Sequence, residues 1–494
     1  MIPRLTRLSD VTGLASIPSY DPAAHGLGIV HLGLGAFHRA HQAVMTDDAL
    51  SRDGGDWRIV SVSLRSRDVA QALAPQNCLY TVIERDAGGM KGRIIASIST
   101  VIAADPDKTL KALCNPAVRI VTLTVTEKGY GIDRATGAPD STNPVVSADI
   151  AAPDAPSGVL GLLVAALRRR RRDDIAPFAI LCCDNLPSNG QFLRGGVLGF
   201  ARAVDPDLAG WIEREVAFPS SMVDRITPAS TDATLRDAET LTGCRDCAAI
   251  ETETFLQWVI EDYFPHGRPA WEAGGALFVD DVEPYEQMKL RMLNGAHSML
   301  AYAGFLSGHT FVRDVMTDRA LAALVLRHLE AAADSLSPLS GVDFAHYARD
   351  LQDRFRNPTM AHRTRQIAMD GTVKMPQRIW SPAAEALEAG RDIGAFAFAT
   401  AAWMRYCLGI DESGETFALC DPREDEIGAA VGPQPRDAVG ISDALHGLPG
   451  LVPETLRDHS GWRQAVDDRL ATMLEIGVTA AIAHERGRVV WVKN

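Results

Sequence analysis

Short apolar runs carrying β-branched residues recur along the first half of the chain. They are GIVHLG (28–33), WRIVSVSL (57–64), LYTVIER (79–85), RIIASIST (93–100), RIVTLTVT (119–126), FAILCCDNL (178–186) and MVDRIT (222–227). Each has the length and residue preference of a strand. Helix-like stretches such as AVMTDDAL and VLGLLVAALRRR fall between them. Strands alternating with helices predict an α/β domain with a largely parallel sheet. After about residue 283 the period changes. ALAALVLRHLEAAADSL, FAHYARDLQDRF, PAAEALEAG, GAFAFATAAWMRYCLG and GWRQAVDDRLATMLEIGVTAAIAHE are alanine-rich and helix-periodic. The expected division is an α/β domain over 1–282 and a mainly α-helical domain over 283–494.

Length and composition agree with two globular domains. A chain of 494 residues is too long for one ordinary core. The net charge of −14 speaks against a nucleic-acid partner. The one basic run, Arg168 to Arg172, closes a helix-like segment, where cations suit the macrodipole. No apolar stretch approaches the ~20 residues of a membrane span, and MIPRLTRLSD lacks an apolar signal core. Eight cysteines are scattered. Cys182 and Cys183 read as core, and Cys244–Cys247 is a single CxxC without a second pair, a poor zinc site. A cytoplasmic protein is expected.

The segment DVEPYEQMKLRMLNGAHSML (281–300) holds the densest candidate chemistry. Asp281 suits an N-cap and Pro284 a first helical turn. On an α-helix, at about 100° per residue, His297 would lie roughly 80° from Lys289 and Asn294 roughly 140°. The three would fill a broad polar sector, while Met292, Leu293, Ala296 and Leu300 pack on the other side. A lysine, an amide and an imidazole around one cleft can take a proton, polarise a carbonyl and orient a hydroxyl. A surface lysine and a satisfied histidine are the ordinary alternative.

Near the N-terminus, Gly33-Leu-Gly35 follows the first strand and opens a helix. A dinucleotide pyrophosphate rests in such a place. The third glycine of the usual fingerprint is missing, and His38 stands there. Phe37 and His38, in the same turn, are expected to contact the cofactor with Gly33 and Gly35. An acidic residue after the second strand should meet the ribose hydroxyls, and Asp68 in LRSRD is the candidate. Arg67 beside it could accept a 2′-phosphate, so NAD is expected with NADP tolerance open. His38 and His41 have metal-ligand spacing but no third ligand in view.

The motifs HLGLGAFHRAHQA, VTLTVTEKGY, CDNLPSNG, FPSSMVDRITP, FLQWVIEDYFPHGRPAW and MKLRMLNGAHS occur here in one order. RNPTMAHRTRQIAMDGTVKMPQR and AAWMRYCLGIDESG follow them. In this the chain resembles the polyol-specific long-chain dehydrogenases, the family of mannitol 2-dehydrogenase and fructuronate reductase. The resemblance implies a Rossmann-type NAD-binding domain over 1–282, a helical substrate-binding domain over 283–494 and metal-free catalysis between them. It implies Lys289 as general acid/base, Asn294 and Asn185 as holders of the reacting oxygen, and His297 as a positioning group. Asp224 and Lys374 align with substrate-side residues, and Glu286 with a glutamate linking the lysine to solvent. Family members are often monomers, and a monomer is expected.

The chemistry supports these roles independently. Oxidising a secondary alcohol releases a hydride and a proton, and without a metal a side chain must take the proton. A lysine can do so if burial near a cation lowers its pKa from ~10.4 to 7–8, roughly 3–5 kcal/mol against the charged form. At two departures from the mannitol dehydrogenase pattern the chain resembles fructuronate reductase, and the resemblance implies a sugar-acid substrate. Gln366 replaces an arginine that meets substrate, and Thr126-Glu-Lys128-Gly-Tyr130 replaces TEGGY. A sugar acid needs a cation for its carboxylate. Lys128, Arg365 and Lys374, with Arg363, are the candidates, although Lys128 could equally be a solvated loop lysine. The expected activity is NAD-dependent interconversion of D-mannonate and D-fructuronate. A mannitol- or arabinitol-type polyol dehydrogenase is the alternative. A non-catalytic nucleotide-binding protein is a third reading, opposed by the intact lysine motif.

Overall fold

The apolar runs become eleven strands among the described residues. In the computed structural model these are β1 Leu27–Leu32, β2 Arg58–Ser63, β3 Tyr80–Asp86, β4 Gly89–Ile95, β5 Ile98–Ala103, β6 Ile120–Leu123, β7 Ala179–Cys182, β8 Ser221–Asp224, β9 Ile250–Glu253, β10 Gln257–Glu261 and β11 Leu277–Val279. Residues 2–339, 341–359, 362–432 and 437–490 are described. Met360 and Ala361, within the motif RNPTMAHRTRQ, lie outside them. The chain divides into two compact units, Met1–Glu283 and Pro284–Asn494.

The first unit is built on a five-stranded parallel sheet in the order β5-β2-β1-β6-β7. Register explains why its strands are apolar on both faces. Val30 lies opposite Val60 and Val121, and Leu32 opposite Val62 and Leu123. These six share one core. The alternate residues Ile29, Ile59 and Ile120 enter the core on the other face. Leu181 and Cys183 join that second core, while Cys182 joins the first.

Two smaller mixed sheets, β4-β3-β9 and β11-β10-β8, complete the unit. The run RIIASIST is not one strand but two in different sheets. Its first half pairs antiparallel with β3 as β4, and its second half pairs parallel with β2 as β5. The break is held by buried polar bonds. Asp47 Oδ1 accepts from Ala96 N at 2.9 Å, and Ser97 Oγ donates to the Ala43 carbonyl at 2.7 Å. The helix after Gly35 also differs from its expected continuity. It runs over Ala36–Ala40, breaks at His41 and resumes over Gln42–Asp53. In the basic run, Arg170 is buried and donates to four main-chain carbonyls, those of Ala176, Leu113, Asn115 and Val118. It closes the end of its helix from inside the fold.

The second unit is mainly helical, with no strand among its described residues. Two helices form its centre, Gly295–Leu306 and Gly394–Tyr406, the latter buried at every position. The expected long helix near the C-terminus is two, Ser460–Ile476 and Val478–Val490. Gly477 separates them with φ +80°, and Val478 N donates to Glu412 Oε2 at 2.9 Å. Two stretches are wound as π-helix, Lys289–Asn294 and Pro376–Trp380. No helix among the described residues is long and apolar enough to cross a membrane.

Candidate active site

Within the first unit, a cavity of about 570 Å³ opens at the C-terminal ends of β1, β2 and β6. The chain leaves β1 toward β2 on one side and returns with β6 on the other. Ligands bind at such a switch point in open α/β sheets. Gly33-Leu34-Gly35, Ser63 to Ser66, Thr124 to Thr126 and Lys128 to Gly131 line it. The two glycines serve different needs. Gly33 has φ +113°, and a Cβ there would sit 2.0 Å from the Thr124 carbonyl oxygen, so the fold itself requires glycine. A Cβ on Gly35 would meet only the Gly33 carbonyl, at 3.8 Å. Its missing side chain leaves space for something other than protein.

His38 does not face this cavity. Its side chain is fully buried, stacks on His31 with ring centroids 3.4 Å apart and bonds Ser61 Oγ at 3.0 Å. Burial, reinforced by His31, holds it well below the ordinary histidine range. Its role is support beneath the loop, which corrects the expectation of a cofactor contact. His31 in turn reaches the Gly33 carbonyl at 3.1 Å and Thr124 Oγ1 at 2.8 Å. His41 bonds the Gln257 carbonyl at 2.9 Å, so the two histidines of the spacing are occupied separately. Phe37 stacks on His41 at 5.0 Å. Asp68 is exposed and lines a second, 310 Å³ recess with Arg39 and Thr231, not the larger cavity. Its Oδ2 accepts from Ser66 Oγ at 3.0 Å, and Ser66 does line the larger cavity beside Arg65.

Lys128 is exposed and lines the same cavity as Gly33 and Gly35. The turn carrying it begins in a strained conformation. Thr126 has φ +67° and ψ 155°, a region nearly exclusive to glycine that costs a β-branched residue about 1–3 kcal/mol. Asp184 at the end of β7 opposes that cost. Its Oδ2 accepts from Val125 N (2.9 Å), Thr126 N (3.1 Å) and the buried Tyr130 hydroxyl (2.7 Å). Asn185, exposed, follows directly. Asn189 is fully buried and donates to the carbonyls of Asp184 (3.0 Å) and Ser221 (2.7 Å). One amide thus ties the loop bearing Asn185 to strand β8, which ends at the buried Asp224. The sequence reading missed Asp184; the available signal was an acid immediately after an apolar strand.

In the second unit, Lys289, Asn294 and His297 are all buried, as is Glu286 one turn earlier. Asp281 accepts from Glu283 N at 2.9 Å, as a cap should. The phase of the helix departs from expectation. Gly295 N donates to the Leu290 carbonyl five residues back, the π pattern. Residues five apart then return toward one face, and Lys289 and Asn294 are five apart. The π turn brings together two groups that an α-helix would separate. Asn294 Nδ2 is buried with no hydrogen-bond partner among the described residues. An unsatisfied buried amide donor is costly unless a ligand completes it.

His297 packs on Phe355 (4.6 Å) and edge-on to His362 (5.2 Å). Burial first, then His362, Arg354 and Arg378, push it well below the usual histidine range. It is therefore neutral. Lys374 lies close enough to lower His362 in turn. Its Nζ donates to the carbonyls of Met369 (2.6 Å) and Ile367 (3.2 Å) and sits 3.6 Å from Asp370. Arg365 is engaged elsewhere, donating to the Tyr406 hydroxyl and the Ala418 carbonyl over the rings of Phe305 and Phe417. Gln366 is exposed.

Sequence comparison now decides the family. The Mannitol dehydrogenase Rossmann domain matches residues 27–273, and the Mannitol dehydrogenase C-terminal domain matches residues 281–440. The chain belongs to the mannitol dehydrogenase family. Family relatives include the uncharacterized oxidoreductase YeiQ of Escherichia coli (strain K12), 44% identical over 94% of this chain and 96% of that protein. D-Mannonate oxidoreductase of the same organism is 41% identical over 97% of this chain and all of that protein. Among solved family structures, the ternary complex of Pseudomonas fluorescens mannitol 2-dehydrogenase with NAD and D-mannitol is 35% identical, with a TM-score of 0.82 over 99% of this chain and all of that one. An oxidoreductase of this family is the activity class that the two halves share.

Proposed function

We propose that this chain is an NAD-dependent oxidoreductase that interconverts D-mannonate and D-fructuronate. The observation that carries the sugar-acid part is the sign of the charge around His297. Arg354 and Arg378 lie close enough to disfavour a charged His297, while His362, itself held down by burial and by Lys374, adds no charge of its own. A neutral polyol has nothing to offer such a field, whereas a carboxylate complements it. The D-mannonate oxidoreductase relative, matched along its whole length, supports the same reading.

The cavity fits a dinucleotide by its position, its volume and the open space above Gly35. Gly33, Gly35 and the Ser63–Ser66 stretch would hold it, with Asp68 bracing Ser66. NAD, when bound, supplies the hydride acceptor. The chain's own groups handle the rest. Lys289 Nζ takes the hydroxyl proton, and Asn294 Nδ2 donates to the oxygen as charge develops there. Neutral His297 orients a neighbouring hydroxyl without adding charge. The family roles of Asn185 at the reacting oxygen and Asp224 on the substrate belong to the same proposal. So does Lys128 as a carboxylate partner.

A polyol reading, of mannitol or arabinitol type, has one observation in its favour. Arg365 and Lys374 already have protein partners and offer a carboxylate little. The deciding experiment is NADH formation by the wild-type enzyme with D-mannonate, D-mannitol, D-arabinitol, D-altronate and D-sorbitol. The proposal expects kcat/KM for D-mannonate to exceed that for D-mannitol by at least a hundredfold. Equal values would refute it and favour the polyol reading.

A further inference from the structure

We propose that Asp184 is a positioning residue for the coenzyme cavity, holding Thr126 in a glycine-like backbone conformation and so fixing the Thr126–Gly129 turn against the cavity. The inference rests on the reading of that cavity as the NAD site.

Three donors converge on one oxygen of Asp184, those of Val125 N, Thr126 N and Tyr130 Oη. Two of them are main-chain amides, that of the strained residue itself and that of the residue before it. The third comes from a phenol that is fully buried and cannot swing away. The carboxylate is itself anchored, because Asn189 holds the Asp184 carbonyl from the interior. The turn beyond is closed by Gly129 N donating to the Thr126 carbonyl at 2.9 Å. Thr126, Lys128 and Gly129 all line the cavity. Remove the carboxylate and Thr126 N loses the side-chain acceptor that holds it in this conformation. Its backbone then falls back to negative φ, where L-residues belong, and the lining moves. Glycine would not fall back, because it populates positive φ about as readily as negative.

That asymmetry gives a test on the full-length enzyme. NADH affinity is measured by fluorescence titration, with kcat and KM for NAD beside it. Asp184→Ala should weaken NADH binding at least tenfold and raise KM for NAD more than it lowers kcat. Adding Thr126→Gly to Asp184→Ala should recover at least threefold of that affinity. A merely structural aspartate predicts no recovery, since the added glycine only loosens the chain. Folded Asp184→Ala that binds NADH within twofold of wild type overturns the proposal, as does a double variant no tighter than the single one. Should Asp184→Ala not fold, Tyr130→Phe decides. It removes one of the three donors and keeps the ring, and is expected to weaken NADH about threefold; unchanged affinity overturns the proposal. A wild-type protein that binds no NADH overturns the coenzyme reading and this proposal together, whereas binding that is indifferent to Asp184 overturns this proposal alone.

Discussion

Arg378 donates through Nη1 to the main-chain carbonyl of Asn294 at 3.4 Å and to Ser298 Oγ at 3.2 Å. One π turn is thereby tied to the other, since Arg378 lies in Pro376–Trp380 and Asn294 closes Lys289–Asn294. Burial holds the guanidinium down at about 10, still charged at neutral pH. Arg378→Met should leave both acceptors short of a charged donor. A loss of about 1.5–3 kcal/mol in stability is expected, read from urea unfolding. The kcat should fall with NADH affinity unchanged, because the π phase of Lys289 and Asn294 loosens. A kcat equal to wild type would separate Arg378 from that phase.

Gly295 follows the π turn and makes the close approach that fixes it. A Cβ there would lie 2.9 Å from His328 Nε2 and 3.0 Å from the Arg378 carbonyl. Gly295→Ala should cost about 1–3 kcal/mol as an overpacking substitution and lower kcat with it. Differential scanning calorimetry beside steady-state kinetics checks both. Wild-type Tm and kcat together would show that the approach is not tight.

The two cofactor-loop glycines should separate in experiment. Gly33→Ala places a Cβ against the Thr124 carbonyl at a φ that alanine resists, so it should fail as a fold. Gly35→Ala meets no such obstacle and should melt like wild type, yet lose NADH affinity because the new methyl enters the cavity. Equal NADH affinity in Gly35→Ala would remove the dinucleotide from that side of the loop.

How much of this was readable from the chain follows from what each feature depends on. The parallel sheet, its two-faced core and the helical second unit rest on local period, and Val30, Leu32 and Gly394–Tyr406 announce themselves. The loop Gly33-Leu34-Gly35 and the group Lys289, Asn294 and His297 were legible as residue types at suggestive spacings. The π winding was not, because it depends on packing around Gly295 and Arg378 that no window of sequence contains. The burial of His38 was hidden for the same reason, since it packs against His31 and against Ser61, 23 residues away on the next strand. RIIASIST reads as one strand until the buried Asp47 is known to cap its middle.

Five of the buried histidines bear on pH. Burial pushes His31 to about 3, His328 and His446 to about 4, and His38 and His297 well below their usual value. In the unfolded chain each takes a proton near 6.5; in the folded chain it does not. Stability is therefore complete above pH 6.5 and is lost as pH falls below it, since the unfolded state binds more protons. Each such histidine contributes up to about 1.4 kcal/mol per pH unit in that window. The Tm should be level from pH 8 to 7 and fall with growing slope from 6.5 to 5. A level Tm down to pH 5 would mean that these histidines are protonated in the folded protein.

The central claim is that Lys289, set on one face with Asn294 by the π turn, is the proton acceptor. Its most direct test is kcat for D-mannonate oxidation by Lys289→Ala, measured beside NADH affinity. The account predicts a loss of kcat of about 10²–10⁴-fold, the usual worth of a general base, with NADH bound as tightly as by wild type. An alanine variant retaining more than about a tenth of wild-type kcat would contradict it and place the base elsewhere.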